Sequence, residues 1–357
     1  MYKAAVIGAG GYAGIEVART LLRHPGFELV AASSDSLEGE RLASVYPALE
    51  GYTDLRFVKS GVDAIADIAD IVFLAVPHTA AMACAPAYLQ HGVAVVDLSA
   101  DYRIHDKDVY AKWYGVEHTS PELLAKAVYG QPETHRDDLK ALGSAWDKAD
   151  ASTTPLVACA GCYPTATILA SMPALAAGLD RDGYVVVNAL SGVSGAGKKA
   201  NARTHFCHAN ESVQAYSAGK HRHTPEIEQE LTEAAGHEVR IAFSPILVPM
   251  KRGLLSMANI RVADGATFEK ALAAYESRYA GEGFVHFLGT EMPQTASVNG
   301  GNHAHVGLAF DEGTRTLIAS AAIDNLDKGA ATQAVQCANL ICGMAEDAGL
   351  EFTSPAV

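Results

Sequence analysis

The feature that most constrains this chain lies at its beginning. Lys3-Ala4-Ala5-Val6-Ile7 is a short apolar run, and it passes directly into Gly8-Ala9-Gly10-Gly11-Tyr12-Ala13-Gly14. Ile15 to His24 then has helical spacing, and Pro25-Gly26 stops it. A strand that turns through glycines into a helix is the opening of a dinucleotide-binding βαβ unit. Gly8 and Gly10 take the first two glycine places of that fingerprint, and Ala13 takes the third, where alanine is tolerated. The glycines let the backbone approach a pyrophosphate, and the helix N-terminus offers its N–H groups to the anion. Gly8, Gly10, Gly11, Tyr12, Ala13 and Gly14 are therefore the expected cofactor contacts. The bland alternative is a tight strand–helix turn with no ligand.

The alternation continues. Phe27 to Ser33, Ile71 to Val76 and Val93 to Leu98 read as strands, with a helical stretch over Ala80 to His91. Strands alternating with helices predict a Rossmann-like, doubly wound parallel sheet. Pro77, which ends the Ile71 to Val76 strand, joins the expected cofactor set. After about residue 140 the pattern changes. Gly143 to Pro155 reads as a loop, and Tyr184 to Ser191, Arg240 to Val248, Gly253 to Val262 and His303 to Asp311 are longer strands that alternate. That pattern predicts an α+β domain built on a mixed or antiparallel sheet. Lys328 to Ala348 reads as a long Ala-rich helix that returns to the first domain. With 357 residues, two domains are expected. We place a dinucleotide-binding domain at 1–158, completed by the C-terminal helix 327–357, and a catalytic, substrate and oligomerisation domain at 159–326.

The second strand ends at Ser33-Ser34-Asp35. An NAD enzyme usually puts an acidic residue there for the ribose 2′-hydroxyl. Ser33 and Ser34 suit a 2′-phosphate, and Arg41 could add charge, so NADP(H) is the expected cofactor; Asp35 argues the other way. The formal charge of −14 argues against an extended nucleic-acid interface. Six cysteines are too few for a disulfide scaffold, no secretory signal is evident, and no apolar run approaches membrane-spanning length. The expectation is a cytoplasmic protein with reduced thiols and no metal.

Among those cysteines Cys162 stands out. Ala160-Gly161-Cys162-Tyr163-Pro164-Thr165 precedes an apolar helical run, Ala166 to Ala177, and Pro164 suits the first helical position, which puts Cys162 at the helix N-terminus. A thiol at a helix N-terminus is biased toward thiolate, and the same N–H groups can form an oxyanion hole. A buried structural cysteine is the competing reading.

Here the chain resembles the N-acetyl-γ-glutamyl-phosphate reductase family of the aspartate-semialdehyde dehydrogenase-like superfamily. Eight ordered blocks carry the resemblance: the glycine turn, Asp97–Arg103, Ala127–Glu133, Gly161–Thr165, Ser191–Gly197, His221–Ile227, Val248–Gly253 and Asp324–Ala331. One departure stands close to the chemistry. Cys159-Ala160 replaces the family's usual Asn-Pro and creates a Cys-x-x-Cys; we read Cys159 as space-filling, with half a zinc site and a redox pair as weaker readings.

The resemblance implies a thioester mechanism. Cys162 would be the nucleophile, with His223 first and His221 second as the acid–base group. Arg103 would bind the departing phosphate and Arg252 the substrate carboxylate. Ser194 and Gly195, in a backbone-rich loop, and Asn325 would contact the cofactor. It also implies a small acyl-phosphate substrate, a place in arginine synthesis, and a homodimer or homotetramer. Rival readings are the same chemistry on an aminoadipyl homologue in lysine synthesis, a non-catalytic NADP-binding sensor, and a Cys–His hydrolase.

Overall fold

Continuous apolar runs make the strands of the first sheet. Ile71–Leu74 is buried at all four positions, as is Ala94–Asp97, the pattern of parallel strands covered on both faces. The computed structural model, which describes residues 1–355, divides the chain into two units. The first is Met1–Gly161 with Ala330–Glu351; the second is Cys162–Gly329 with the tail from Phe352.

In the first unit, β1 (Tyr2–Ile7), β2 (Phe27–Ser33), β3 (Phe57–Val58), β4 (Ile71–Leu74), β5 (Ala94–Asp97), β6 (Val128–Gly130) and β7 (Leu156–Cys159) form one sheet. Their order is β3-β2-β1-β4-β5-β7-β6, and all pairs are parallel. The order reverses between β1 and β4. In such sheets ligands bind outside the carboxyl ends of the strands at this switch point. Register brings those ends level: Ile7 lies opposite Ser33 on one side and Leu74 on the other.

In the second unit, β8 (Asp180–Gly192), β9 (Gln214–Ala215), β10 (Arg240–Val248), β11 (Leu254–Val262), β12 (Val285–Phe287), β13 (Ala304–Asp311) and β14 (Thr316–Ile323) form the second sheet. It is mixed, in the order β12-β13-β14-β11-β8-β10-β9. β8 pairs parallel with β10 and antiparallel with β11. Alternation is clear in β8, where Val185, Val187 and Ala189 are fully buried. Tyr184 and Val186, on the other face, are exposed. The Cys162–Ala176 helix packs on β8, β11 and β14, and every residue from Tyr163 to Leu175 in it is buried.

The C-terminal region corrects one expectation. A helix through Ala348 was expected, but a π-helical turn, Asp327–Ala331, leads into a helix that ends at Ile341. Gly343 takes φ +67°, its N–H donates to Leu340, and the Met344 N–H donates to Asn339. This is a Schellman stop. The residues between 342 and 355 form turns and irregular chain rather than helix. The last two residues of the 327–357 segment lie outside the described residues.

Candidate active site

The glycine turn has no room for side chains. Gly8 has φ +87°, and a Cβ there would stand 2.4 Å from the Ala75 carbonyl oxygen. At Gly14 it would stand 2.4 Å from the Gly8 carbonyl oxygen, and at Gly10 2.6 Å from Ser34 Oγ. Gly11 is the N-cap of the Tyr12–Leu21 helix and supplies no side-chain cap, and Tyr12 and Ala13 are partly exposed in its first turn. That leaves first-turn N–H groups available to an anion. Pro77 is exposed just beyond β4. The residues fit a dinucleotide.

The 2′-phosphate candidates divide. Ser33 is fully buried; its hydroxyl accepts from the Gly8 N–H at 3.3 Å and meets Ser60 Oγ at 3.0 Å. Ser34 is partly exposed beside Gly10. Asp35 accepts from the Ser60 N–H at 2.9 Å. Arg41 is held by Glu50 at 3.2 Å and Asp54 at 2.9 Å. Of the four, Ser34 is the one whose placement best suits a ribose phosphate.

Cys162 opens its helix. Tyr163, the next residue, meets the rings of His221 at 5.5 Å and His223 at 6.1 Å, both edge-on. The Tyr216 hydroxyl donates to the Tyr163 hydroxyl at 3.0 Å. Burial pushes the Tyr216 phenol up to about 12, and the Cys162 charge works in the same direction. His221 packs against Tyr216 and Phe243 as well. Its Nδ1 accepts from the His223 N–H at 3.2 Å, so this nitrogen carries no proton. Burial pushes the His221 imidazole down to about 4, and the Arg222 guanidinium works in the same direction. His223 is the N-cap of the Thr224–Ala235 helix. Its Nδ1 lies 3.8 Å from the carboxylate of Glu226, which is buried. The two histidines are thus unlike: one is in an apolar ring cage, the other beside a carboxylate.

Cys159 is fully buried at the end of β7. Arg103 is 4% exposed, and its Nη2 donates to the Leu98 carbonyl at 2.8 Å. Next to it, burial and the Asp101 charge raise the Asp97 carboxyl to about 7. Arg252 engages Asp324 at 2.9 Å and Asp327 at 2.9 Å, both carboxylates fully buried. Asn325 is committed at both ends: Oδ1 accepts from the Gly253 N–H at 2.7 Å, and Nδ2 donates to Ser194 Oγ at 2.9 Å. Gly195 sits beneath that pair, where a Cβ would meet Ser191 Oγ at 2.9 Å.

Sequence reasoning missed three groups. Gly329 lies against Cys162: a Cβ there would stand 2.7 Å from Cys162 Cβ. Glu226 lies inside the His221–Ile227 block, and its spacing of three from His223 was a readable signal. Tyr216 falls outside every block and carried no signal.

Two family models match the chain: semialdehyde dehydrogenase, NAD binding domain, over residues 3–142, and semialdehyde dehydrogenase, dimerisation domain, over 162–325. An N-acetyl-gamma-glutamyl-phosphate reductase of Moorella thermoacetica is 44% identical over 352 residues, covering 98% of both chains. One of Desulforudis audaxviator is 45% identical over 353 residues, covering 99% of both. Among solved structures, aspartate semialdehyde dehydrogenase II from Vibrio cholerae, complexed with ASA, superposes with a TM-score of 0.70 at 15% identity, covering 96% of this chain and 98% of that one. The Candida albicans enzyme with NADP gives 0.68 at 17%, again covering 96% and 98%. These structural likenesses establish the fold.

Proposed function

The chain belongs to the N-acetyl-gamma-glutamyl-phosphate reductase family, and from that premise we propose that it reduces N-acetyl-L-glutamyl 5-phosphate to N-acetyl-L-glutamate 5-semialdehyde and phosphate through a thioester on Cys162. The observation that carries the reading is the placement of Cys162 as the first residue of a helix whose next residue, Tyr163, packs against Tyr216 and the paired histidines.

An acyl phosphate must lose phosphate before it can be reduced, and a cysteine achieves this by taking the acyl group. The Cys162 thiolate, favoured at a helix N-terminus, attacks the carbonyl carbon. First-turn N–H groups of the same helix stabilise the oxyanion, and phosphate leaves as the C–S bond persists. Arg103 is the proposed anchor for that phosphate. NADPH, when bound at the glycine turn with Ser34 toward its 2′-phosphate, supplies the hydride. His223 gives a proton to the oxygen of the resulting thiohemiacetal. It takes the proton back as the C–S bond breaks and the thiolate returns. His221, held neutral, orients the backbone of His223 and walls the site. Asn325, Ser194 and Gly195 shape the loop beside it.

The reaction belongs to arginine synthesis, and the proposed setting is the cytoplasm, where thiols stay reduced. Among the described residues no helix is long and apolar enough to cross a membrane. The proposed assembly is a homodimer or homotetramer, in keeping with the dimerisation-domain match and with the exposed Tyr184 and Val186 on the outer face of β8.

Substitution tests the nucleophile. Cys162→Ser should retain NADPH binding and lose at least about 1,000-fold in turnover, because an unactivated hydroxyl is a weak nucleophile. A Cys162→Ser enzyme with substantial activity would contradict the proposal.

A further inference from the structure

The proposed substrate carries a carboxylate at the far end of its glutamyl chain from the attacked carbonyl, and a cation must recognise it. Arg252 is committed to Asp324 and Asp327. Arg203 is placed differently. It lies on the short turn Ala202–Thr204, which Asn201 fixes by accepting from the Arg203 and Thr204 N–H groups at 3.0 and 3.2 Å. Its guanidinium sits over the Tyr216 ring, 5.0 Å from the centroid. The side chain is exposed, and among the described residues no carboxylate pairs with it. Tyr216 in turn donates to Tyr163, which adjoins Cys162. A guanidinium on an aromatic face keeps its fork of N–H donors directed outward and is pre-organised for a planar anion.

We infer that Arg203, seated on Tyr216, is the specificity-determining residue that binds the substrate's α-carboxylate. The inference rests on the function proposed above. Arg203 sits on the Tyr216 ring, and Tyr216 in turn bonds Tyr163, the neighbour of Cys162; the inference sets the carboxylate at this fork and the reacting carbonyl at Cys162. Tyr216 thereby becomes a positioning residue with two tasks, holding Arg203 through its ring and Tyr163 through its hydroxyl.

The test compares two aldehydes in the phosphate-dependent oxidation direction: N-acetyl-L-glutamate 5-semialdehyde and 4-acetamidobutanal, the same chain without the carboxylate. For Arg203→Met the KM for the first should rise about 10- to 100-fold, as expected for loss of a charged hydrogen-bonded pair. Its kcat, the phosphate KM and NADP binding should stay near wild type. Turnover of 4-acetamidobutanal should barely change, so the variant loses the wild-type preference. Arg203→Lys should restore part of that preference, since it keeps the charge but not the fork. Equal losses on both aldehydes, or an unchanged KM for the carboxylated one, would overturn the inference while leaving the reductase reading intact. A wild type that fails to oxidise the acetylglutamate semialdehyde would contradict the reading and the inference together.

Discussion

Burial among Tyr163, Tyr216 and Phe243 holds the His221 imidazole neutral well below pH 6. A group in that state has a measurable effect on stability. The unfolded chain binds a proton at His221 near pH 6.5, while the folded chain resists it until about 4. Stability from this residue is therefore complete above pH 6.5 and is lost as pH falls toward 4, by up to about 3 kcal/mol. Urea unfolding at pH 7.5 and 4.5 should show a smaller acid loss in His221→Gln than in wild type; equal losses would remove His221 as the cause. The sequence could not separate His221 from His223, because their neighbours come from distant segments: Tyr163 from one helix, Tyr216 from β9's edge and Phe243 from β10. Cys162 was legible because its own neighbours, Gly161 before it and Pro164 after it, announce a helix start. Ser33 was misleading for the opposite reason. It looks like a free hydroxyl at a strand end, yet it closes the turn at Gly8 and Ser60.

At the scale of elements, the π-helical turn Asp327–Ala331 carries a specific burden. The Gly329 N–H reaches the Asp324 carbonyl at 2.8 Å, a wide turn that brings its bare Cα against Cys162. Asp324 anchors the turn from within: its carboxylate accepts from the Leu326, Asp327 and Gly300 N–H groups and holds Arg252. Gly329→Ala should thus displace Cys162 or open the turn. We expect turnover to fall at least about 10-fold, with a destabilisation of about 1–3 kcal/mol from overpacking. Thermal melting beside steady-state kinetics separates the two effects; a loss of activity no larger than the unfolded fraction would make the turn merely structural. None of this was visible in the sequence, where Lys328 to Ala348 reads as one uninterrupted helix. Alanine content reports helix propensity, but the break at Asp327–Ala331 and the stop at Gly343 depend on tertiary contacts. The strands were easier, since a buried parallel sheet and a one-sided mixed sheet leave different periods in the chain.

For the whole molecule, the two periods in the sequence correspond to two sheets of different type, the first parallel and the second mixed. Cys162 opens the second unit, and the glycine turn lies near the start of the first. The central claim is that the acyl group rests on Cys162 as a thioester between the phosphate step and the hydride step. One measurement reaches it directly. The wild-type protein is mixed with N-acetyl-L-glutamate 5-semialdehyde and NADP in the absence of phosphate, NADPH is followed by absorbance, and the quenched protein is mapped by peptide mass. The account predicts a burst of about one NADPH per active site, then a stall, with the acetylglutamyl group on the Cys162 peptide and continued turnover once phosphate is added. Steady turnover without phosphate, or an acyl group on any other residue, would contradict it.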